Sequence, residues 1–306
     1  MRKELKCYYN WTSLNEKQFY SAVREFVDNG FRKFVITAPL LKEMIDSEER
    51  IKLVKRICSD MEVEFSAVHG LYGKWQGDLN CTQKERWESM YEEHIRGMRI
   101  AAEFGCKTYT VHVGAAEYCH DRVPVDVLRP LAVAGVEKLL PAARELDMII
   151  AVENSQEATN TAAEVMKIVD PFKDDPHVGT CYDTGHANML ASAPGKSYKD
   201  HDGYMNKVWW ENGVVMEDNA LETMRETVVT CHIHDNNGYA DNHGMPFDGT
   251  IDWRELMPKL FDCPRMIDYQ TEVCFDSGTN WAGRLLAPAG GYSIRRLADT
   301  FRYLGF

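Results

Sequence analysis

The stretch CHIHDNNGYADNHGMPFDGTIDW, residues 231–253, sets His232, His234, Asp235, Asp241 and His243 close together in a chain of 306 residues. Imidazole and carboxylate at this density are the ligand types of first-row divalent cations. Further groups of the same kind recur along the chain. His69, His112, Glu153, Asp183 and Glu272 each fall at the end of an apolar run, and His186 follows Asp183 in "DTGH". A mixed His and carboxylate set suits Zn, Mn, Fe or Co. No thiolate stands at these run ends, which argues against a structural cysteine–zinc site, and all-oxygen Mg or Ca sites fit less well.

Each residue also has a plainer reading. A solitary strand-end histidine is usually a hydrogen-bonded bystander, and Glu153 or Glu272 alone reads as a salt-bridged barrel residue. The joint pattern weakens that reading. Buried polar groups without partners cost about 1–3 kcal/mol each, and a shared cation supplies a partner to several at once. His94 and His177 keep the plain reading, one inside a helical segment and the other before a strand at the opposite rim. His120 and His201 read as solvated loop residues.

The elements that must position these groups alternate regularly. Strand-like runs rich in Val, Ile, Thr and Tyr occupy 5–10, 33–38, 64–70, 108–114, 148–155, 177–184, 228–235 and 267–273. Helical periodicity covers 15–30, 82–105, 126–147, 159–170, 252–262 and 293–305. Thr82 is placed to cap the second of these, and the last three each start at a Thr, Asp or Ser. Pro130 fits a first turn and Pro141 predicts a kink. Eight strand candidates, each followed by a helix or by room for one, predict parallel strands. The size then favours an α/β fold of the (β/α)8 TIM barrel type, one domain over 1–306. An open doubly wound sheet is weaker, since no G-x-G-x-x-G follows the first strand. In a barrel the strand C-termini meet at one rim, so the reactive groups should converge there. Alternation turns His232 and His234 to one face and Ile233 to the other.

Residues 187–217 form a long connection, expected to be a lid. Trp209 and Trp210 within it either cover a ligand or pack on the barrel wall.

Composition bounds the function. Apolar residues make up 44% and charged residues 27%, enough for a sizeable core. The net charge of −12 argues against nucleic acid as a partner, because phosphate binding draws on a basic face. Nine cysteines, an odd number without a C-x-x-C pair, read as reduced thiols of a cytoplasmic protein. The start MRKELKCYYNW does not read as a signal peptide, having no apolar run after its basic residues, and no run reaches membrane-span length. The rim loops hold few cations (Lys74, Arg122, Lys196, Lys199, Lys207, Arg284). They are instead aromatic, with Trp75, Tyr118, Trp209, Trp210, Phe247, Phe275 and Trp281.

Taken in order, "VEN" (152–154), "YDTGH" (182–186), "HIHDNNGYADNH" (232–243) and "DGTIDW" (248–253) resemble the xylose-isomerase-like TIM-barrel superfamily of sugar isomerases, epimerases and endonuclease IV. The resemblance implies one divalent ion on Glu153, Asp183, His232 and Glu272, as in the ketose epimerases. It also implies up to three ions if His69, His112, His186, Asp241 and His243 join them, as in endonuclease IV.

The expectation is a divalent-metal-dependent isomerase or epimerase acting on a sugar or keto-sugar through an enediolate. Glu153 and Glu272 would remove and return the proton. His234, Trp75, Trp209, Trp210 and Arg284 would bind the substrate. The alternatives are a multi-zinc phosphodiesterase, a keto-glycoside lyase, and a sugar-binding protein without catalysis. A homo-oligomer is compatible with the sequence.

Overall fold

The computed structural model describes residues 3–73, 77–199, 209–275 and 293–306. Eight strands lie in it: β1 (Leu5–Lys6), β2 (Lys33–Ile36), β3 (Glu64–Val68), β4 (Thr108–Val111), β5 (Ile149–Glu153), β6 (Val178–Asp183), β7 (Val228–Ile233) and β8 (Asp268–Thr271). Each falls inside a run expected from the sequence. All their pairings are parallel. One ladder runs β1-β8-β7-β6-β5-β4 and a second joins β2 to β3. Single bridges, Cys7 to Phe34 and His69 to Thr110, connect the two ladders. Every strand therefore lies beside its neighbours in chain order and the sheet closes into a TIM barrel.

The helices are α1 (Glu16–Asp28), α2 (Ala38–Asp46), α3 (Glu48–Met61), α4 (Trp87–Glu103), α5 (Ala116–Asp121), α6 (Val125–Glu145), α7 (Ala162–Val169), α8 (Thr184–Leu190), α9 (Ala220–Met224), α10 (Trp253–Phe261) and α11 (Ile294–Leu304). Asp252 and Ser293 cap α10 and α11 by accepting backbone N–H groups, as their residue types predict, while α7 is capped by Thr161 rather than by Thr159, where the helical pattern starts. Thr82 does not cap α4. A short 3-10 turn, Lys84–Arg86, leads into that helix, and the Thr82 N–H donates to Glu117 instead. α6 continues through both Pro130 and Pro141.

Between barrel and helices lies an apolar layer. Trp11 stacks on Phe19 at 5.0 Å and meets Phe34 and Phe65 edge-on at 5.3 and 5.2 Å. Such aromatic pairs contribute about 0.5–1.5 kcal/mol each beyond burial, and these hold β2 and β3 to the first loop. The barrel interior away from the strand ends holds a polar network centred on Asp268. Asp268 accepts from Thr108 at 2.9 Å and Thr230 at 2.6 Å, and pairs with Lys6 at 3.3 Å.

One irregularity matters for the mouth. Thr180 pairs with Val228 but Cys181 pairs with Thr230, so β7 carries one extra residue. A bulge of this kind re-aims the side chains beyond it. Val229 clusters with Ala151 and Cys181, while Thr230 bonds Asp268, so both face inward. Beyond the bulge Cys231 and Ile233 pack in the main apolar layer, and His232 turns to the barrel axis.

Candidate metal centre

The strand ends bring the expected groups together. Glu153 and Asp183 close β5 and β6, His232 lies in β7, and His69, His112 and Glu272 each follow their strand by one residue. Glu153, Asp183, His232 and Glu272 offer donor atoms that all lie within 4.8 Å of one another. His69, His112 and Glu153 form a second such group, and His186, His234, Asp241 and His243 a third. All but His112, Asp241 and His243 are buried, and those three are half-buried.

Glu153 is the hub. Its Oε1 lies 2.9 Å from His232 Nδ1, and its Oε2 lies 3.0 Å from His112 Nε2 and 3.4 Å from His69 Nε2. Burial alone would raise its carboxyl, but His232 and His112 override that and hold it well below the usual range. His232 Nδ1 also reaches Glu272 at 3.5 Å and Asp183 at 3.8 Å.

The motif residues divide between chemistry and support. Asn154 of "VEN" clamps β5 to β6, accepting the Asp183 N–H at 2.8 Å and donating to the Asp183 carbonyl at 3.2 Å. Asp183 caps α8 by accepting the His186 N–H at 2.7 Å. Thr184 Oγ1 donates to the His234 carbonyl at 2.7 Å. Gly185 leaves room for the His234 ring, since a Cβ there would stand 2.0 Å from its Cε1. His234 Nε2 meets both oxygens of Asp183 at 3.0 Å. Asp235 offers the site nothing. Its carboxylate accepts from the N–H groups of Asn236, Phe247 and Ile251 and from Trp253 Nε1, which folds "DGTIDW" into a rigid turn beneath the mouth.

The donor set tests whether a cation fits. His69, His186 and His243 place Nδ1 at 2.9, 3.0 and 2.8 Å from the carbonyls of Gly70, Asn154 and Glu272. An Nδ1–H donated there leaves the Nε2 lone pair bare in the neutral ring. Those Nε2 atoms face carboxylate oxygens: Glu153 at 3.4 Å for His69, and Asp241 at 3.5 and 3.2 Å for His186 and His243. Two acceptors facing each other repel unless a proton or a metal ion lies between them. A first-row cation with bonds of about 2.1 Å holds neighbouring ligands about 3.0–3.4 Å apart. Asp241 Oδ1 is moreover buried without a hydrogen-bond partner, and Glu153 Oε2 and His112 Nε2, 3.0 Å apart, meet outside hydrogen-bond geometry. The residues fit divalent metal.

Other groups lie elsewhere. Trp210 is buried with Met189, Leu190 and Tyr198, and its Nε1 donates to the Gln156 carbonyl at 2.8 Å. Trp209 packs between that cluster and Tyr118, Cys119 and Leu128. Both tryptophans pack in the loop layer beside the mouth. Trp75 and Arg284 lie outside the described residues, as do Lys74, Lys207, His201 and Trp281. His94 donates its Nε2–H to the Gly77 carbonyl at 3.0 Å and accepts the Tyr109 hydroxyl at Nδ1 at 3.1 Å, a satisfied core histidine. His177 bonds the Met148 carbonyl at the far rim.

Two residues near the site were not anticipated. Tyr72 stacks on His112 at 5.0 Å and stands 42% exposed, a wall of the mouth. Asp78 is buried in the same loop, and burial pushes its carboxyl up to about 6 against the N–H of Gly73. Their only signal was position, just after the β3 end. Outside the mouth, a cavity of about 570 Å³ lies between α8, α9 and α10. Lys196 there is spent on the end of α8, donating to the carbonyls of Asn188, Met189 and Ala191. Among the described residues, no helix is long and apolar enough to cross a membrane.

Comparison with known proteins follows the same lines. The apo 3-keto-D-glucoside 4-epimerase YcjR from E. coli superimposes with a TM-score of 0.68 and 17% identity, over 99% of both chains. The D-psicose 3-epimerase of Clostridium cellulolyticum H10, solved with D-tagatose, gives 0.71 and 14%, over 99% of this chain and 98% of that one. A zinc-soaked protein from Thermus thermophilus, TTHB071, gives 0.60 and 15%, over 88% and 91%. At these identities the likeness is one of fold. The Sinorhizobium fredii protein y4fM is 31% identical over 100 residues, which span 33% of this chain and only 24% of that one. The model of the xylose isomerase-like TIM barrel family matches residues 23–281, most of the barrel and every strand end of the metal centre, and the chain belongs to that family.

Proposed function

We propose that this chain is a divalent-metal-dependent isomerase or epimerase of a sugar or keto-sugar, acting by proton transfer next to a carbonyl. The observation that carries the reading is the convergence of Glu153, Asp183, His232 and Glu272, with two glutamates that can serve opposite faces of one small substrate. Zn, Mn, Fe or Co bound there supplies Lewis-acid polarisation of the substrate carbonyl.

The chain's own residues then divide the work. Glu153, gripped by three imidazoles and 1% exposed, is a strong ligand and a poor base. Glu272, at the mouth and nearer to solvent at 7% exposure, is better placed to take the proton from carbon. Glu153, protonated in turn, delivers a different proton to the other face, and both carboxyls then re-equilibrate with solvent. Tyr72 and His112 form a flat wall against which a sugar ring can lie. The structural neighbours named as epimerases of D-psicose and of a 3-keto-glucoside support a sugar substrate.

The test is solvent exchange. Protein reconstituted with each metal is incubated in D2O with a panel of ketoses and 3-keto-glycosides. Deuterium at the carbon beside the carbonyl is expected for at least one sugar and only with metal. Tight sugar binding without exchange would overturn the catalytic reading in favour of a binding protein.

A second reading has one observation of its own. The three donor groups together exceed what one ion needs, as expected of a multi-zinc phosphodiesterase. Against it stand the net charge of −12 and the loss of Lys196 to a helix end. Cleavage of abasic-site DNA by the zinc-loaded protein would establish it.

A further inference from the structure

Cys181 is the only cysteine among the described residues that joins a donor group, lying within 4.8 Å of Glu153 and His232. It is fully buried on β6, two residues before Asp183 and on the same inward face, and pairs in register with Glu153. Around it are Ala151 and Val229, the residue that the β7 bulge turns inward. The other side of this pocket is the ring of His232.

His232 has two nitrogens in different surroundings. Nδ1 faces oxygens of Glu153, Glu272 and Asp183 at 2.9, 3.5 and 3.8 Å. Nε2 is buried and has no hydrogen-bond partner, and His232 has no exposed surface. When Nδ1 gives its lone pair to a cation, the ring proton must sit on Nε2, deep in the barrel. Metal-bound histidines ordinarily pass that proton to a carboxylate or a carbonyl, which sets the ring's orientation and basicity. Cys181 carries a sulfur within 4.8 Å of a ring nitrogen of His232, close enough to interact with the imidazole.

We propose that Cys181 is a positioning residue for the metal, the sulfur acceptor behind His232 that holds Nδ1 toward the ion without binding the ion itself. The proposal rests on the metal-centre reading above. A sulfur acceptor is weaker and larger than a carboxylate. It leaves the imidazole neutral, and so a less basic ligand than a His–carboxylate pair would be.

The test uses the full chain, stripped with a chelator and titrated with Co(II) and with Zn(II) against a chromophoric competitor. Cys181→Ala and Cys181→Val are compared with Cys181→Ser, each checked by circular dichroism. Loss of the acceptor is expected to weaken Kd about tenfold or more in the first two variants, with Ser recovering most of the affinity. The visible Co(II) bands should shift in Ala and Val, and wild type should show no sulfur-to-cobalt charge-transfer band. An unchanged Kd and spectrum in Cys181→Val, with wild type binding metal, would overturn the proposal alone. An intense charge-transfer band would overturn it by making Cys181 a direct ligand. Failure of wild type to bind either ion would overturn the metal-centre reading as well.

Discussion

His234 and His243 lie face to face, ring centroids 4.1 Å apart and planes within 5° of parallel. An imidazole binds metal along a lone pair in its own plane, so one ion cannot lie in both planes. The fourfold group of His186, His234, Asp241 and His243 therefore separates. His243 turns Nε2 to Asp241, 3.2 Å away, and His234 turns Nε2 to Asp183. His234 orients a carboxylate rather than adding a ligand.

Removing that orientation should loosen the central site. His234→Ala is expected to weaken metal binding about tenfold, and His234→Gln, which keeps a donor, to recover part of it. Gly185→Ala should behave like His234→Ala, because the new methyl carbon would displace the ring. Chelator competition measures all three, and equal affinity in His234→Ala and wild type would refute the assignment.

The two glutamates should separate by readout. Glu272→Gln is expected to lower deuterium exchange by a factor of about 10² to 10⁴ while keeping much of the bound metal. Glu153→Gln should lose metal and exchange together, since three imidazoles converge on its carboxylate. Metal content by elemental analysis beside the exchange rate distinguishes them. The opposite order would assign the proton-abstracting role to Glu153.

Metal uptake should release protons. Burial works against charge on His186 and His243, but Asp183 and Asp241 beside the first and Asp241 beside the second pull both well above their ordinary value. Without metal these rings hold protons at pH 7, and an ion must displace them. Apparent affinity should therefore climb as pH rises. The metal-free protein has the converse behaviour. Its raised histidines stabilise it fully below about pH 6.5 and lose that contribution as pH rises through their folded values. Calorimetry in buffers of different ionisation enthalpy counts the protons, and none released would contradict this picture.

His94 should make the fold acid-sensitive. Burial depresses its imidazole from the usual 6.5 to about 4. The unfolded chain binds that proton first, so stability is complete above pH 6.5 and falls as pH drops toward 4. Between pH 7.5 and 4.5 the loss from this group is about 2–3 kcal/mol. His94→Gln should lack that part of the pH dependence in urea unfolding. Parallel curves for the two proteins would show that the His94 imidazole is not depressed in the folded protein.

Much of this was legible in the chain. Parallel strands buried on both faces carry dense Val, Ile, Thr and Tyr runs, and a rim site needs its polar residues where such runs stop. Glu153, Asp183, His232 and Glu272 could be read for that reason. Two helices between β2 and β3 could not. α2 and α3 meet at Ser47, which breaks the apolar period between them. α8 was hidden because Asp183 was read only as a ligand and not as its cap.

Residue types and their positions along the strands thus determined the barrel and the mouth's chemistry, since both depend on local pattern and strand order. Only the tertiary structure decided how the donors group and which way each ring faces. The β7 bulge turns His232 inward, carbonyls from distant loops select the free nitrogens of His69, His186 and His243, and Asp235 is spent on holding its own loop. These choices depend on which atoms of remote segments come within hydrogen-bond reach, a property of the closed sheet that no local stretch of residues carries.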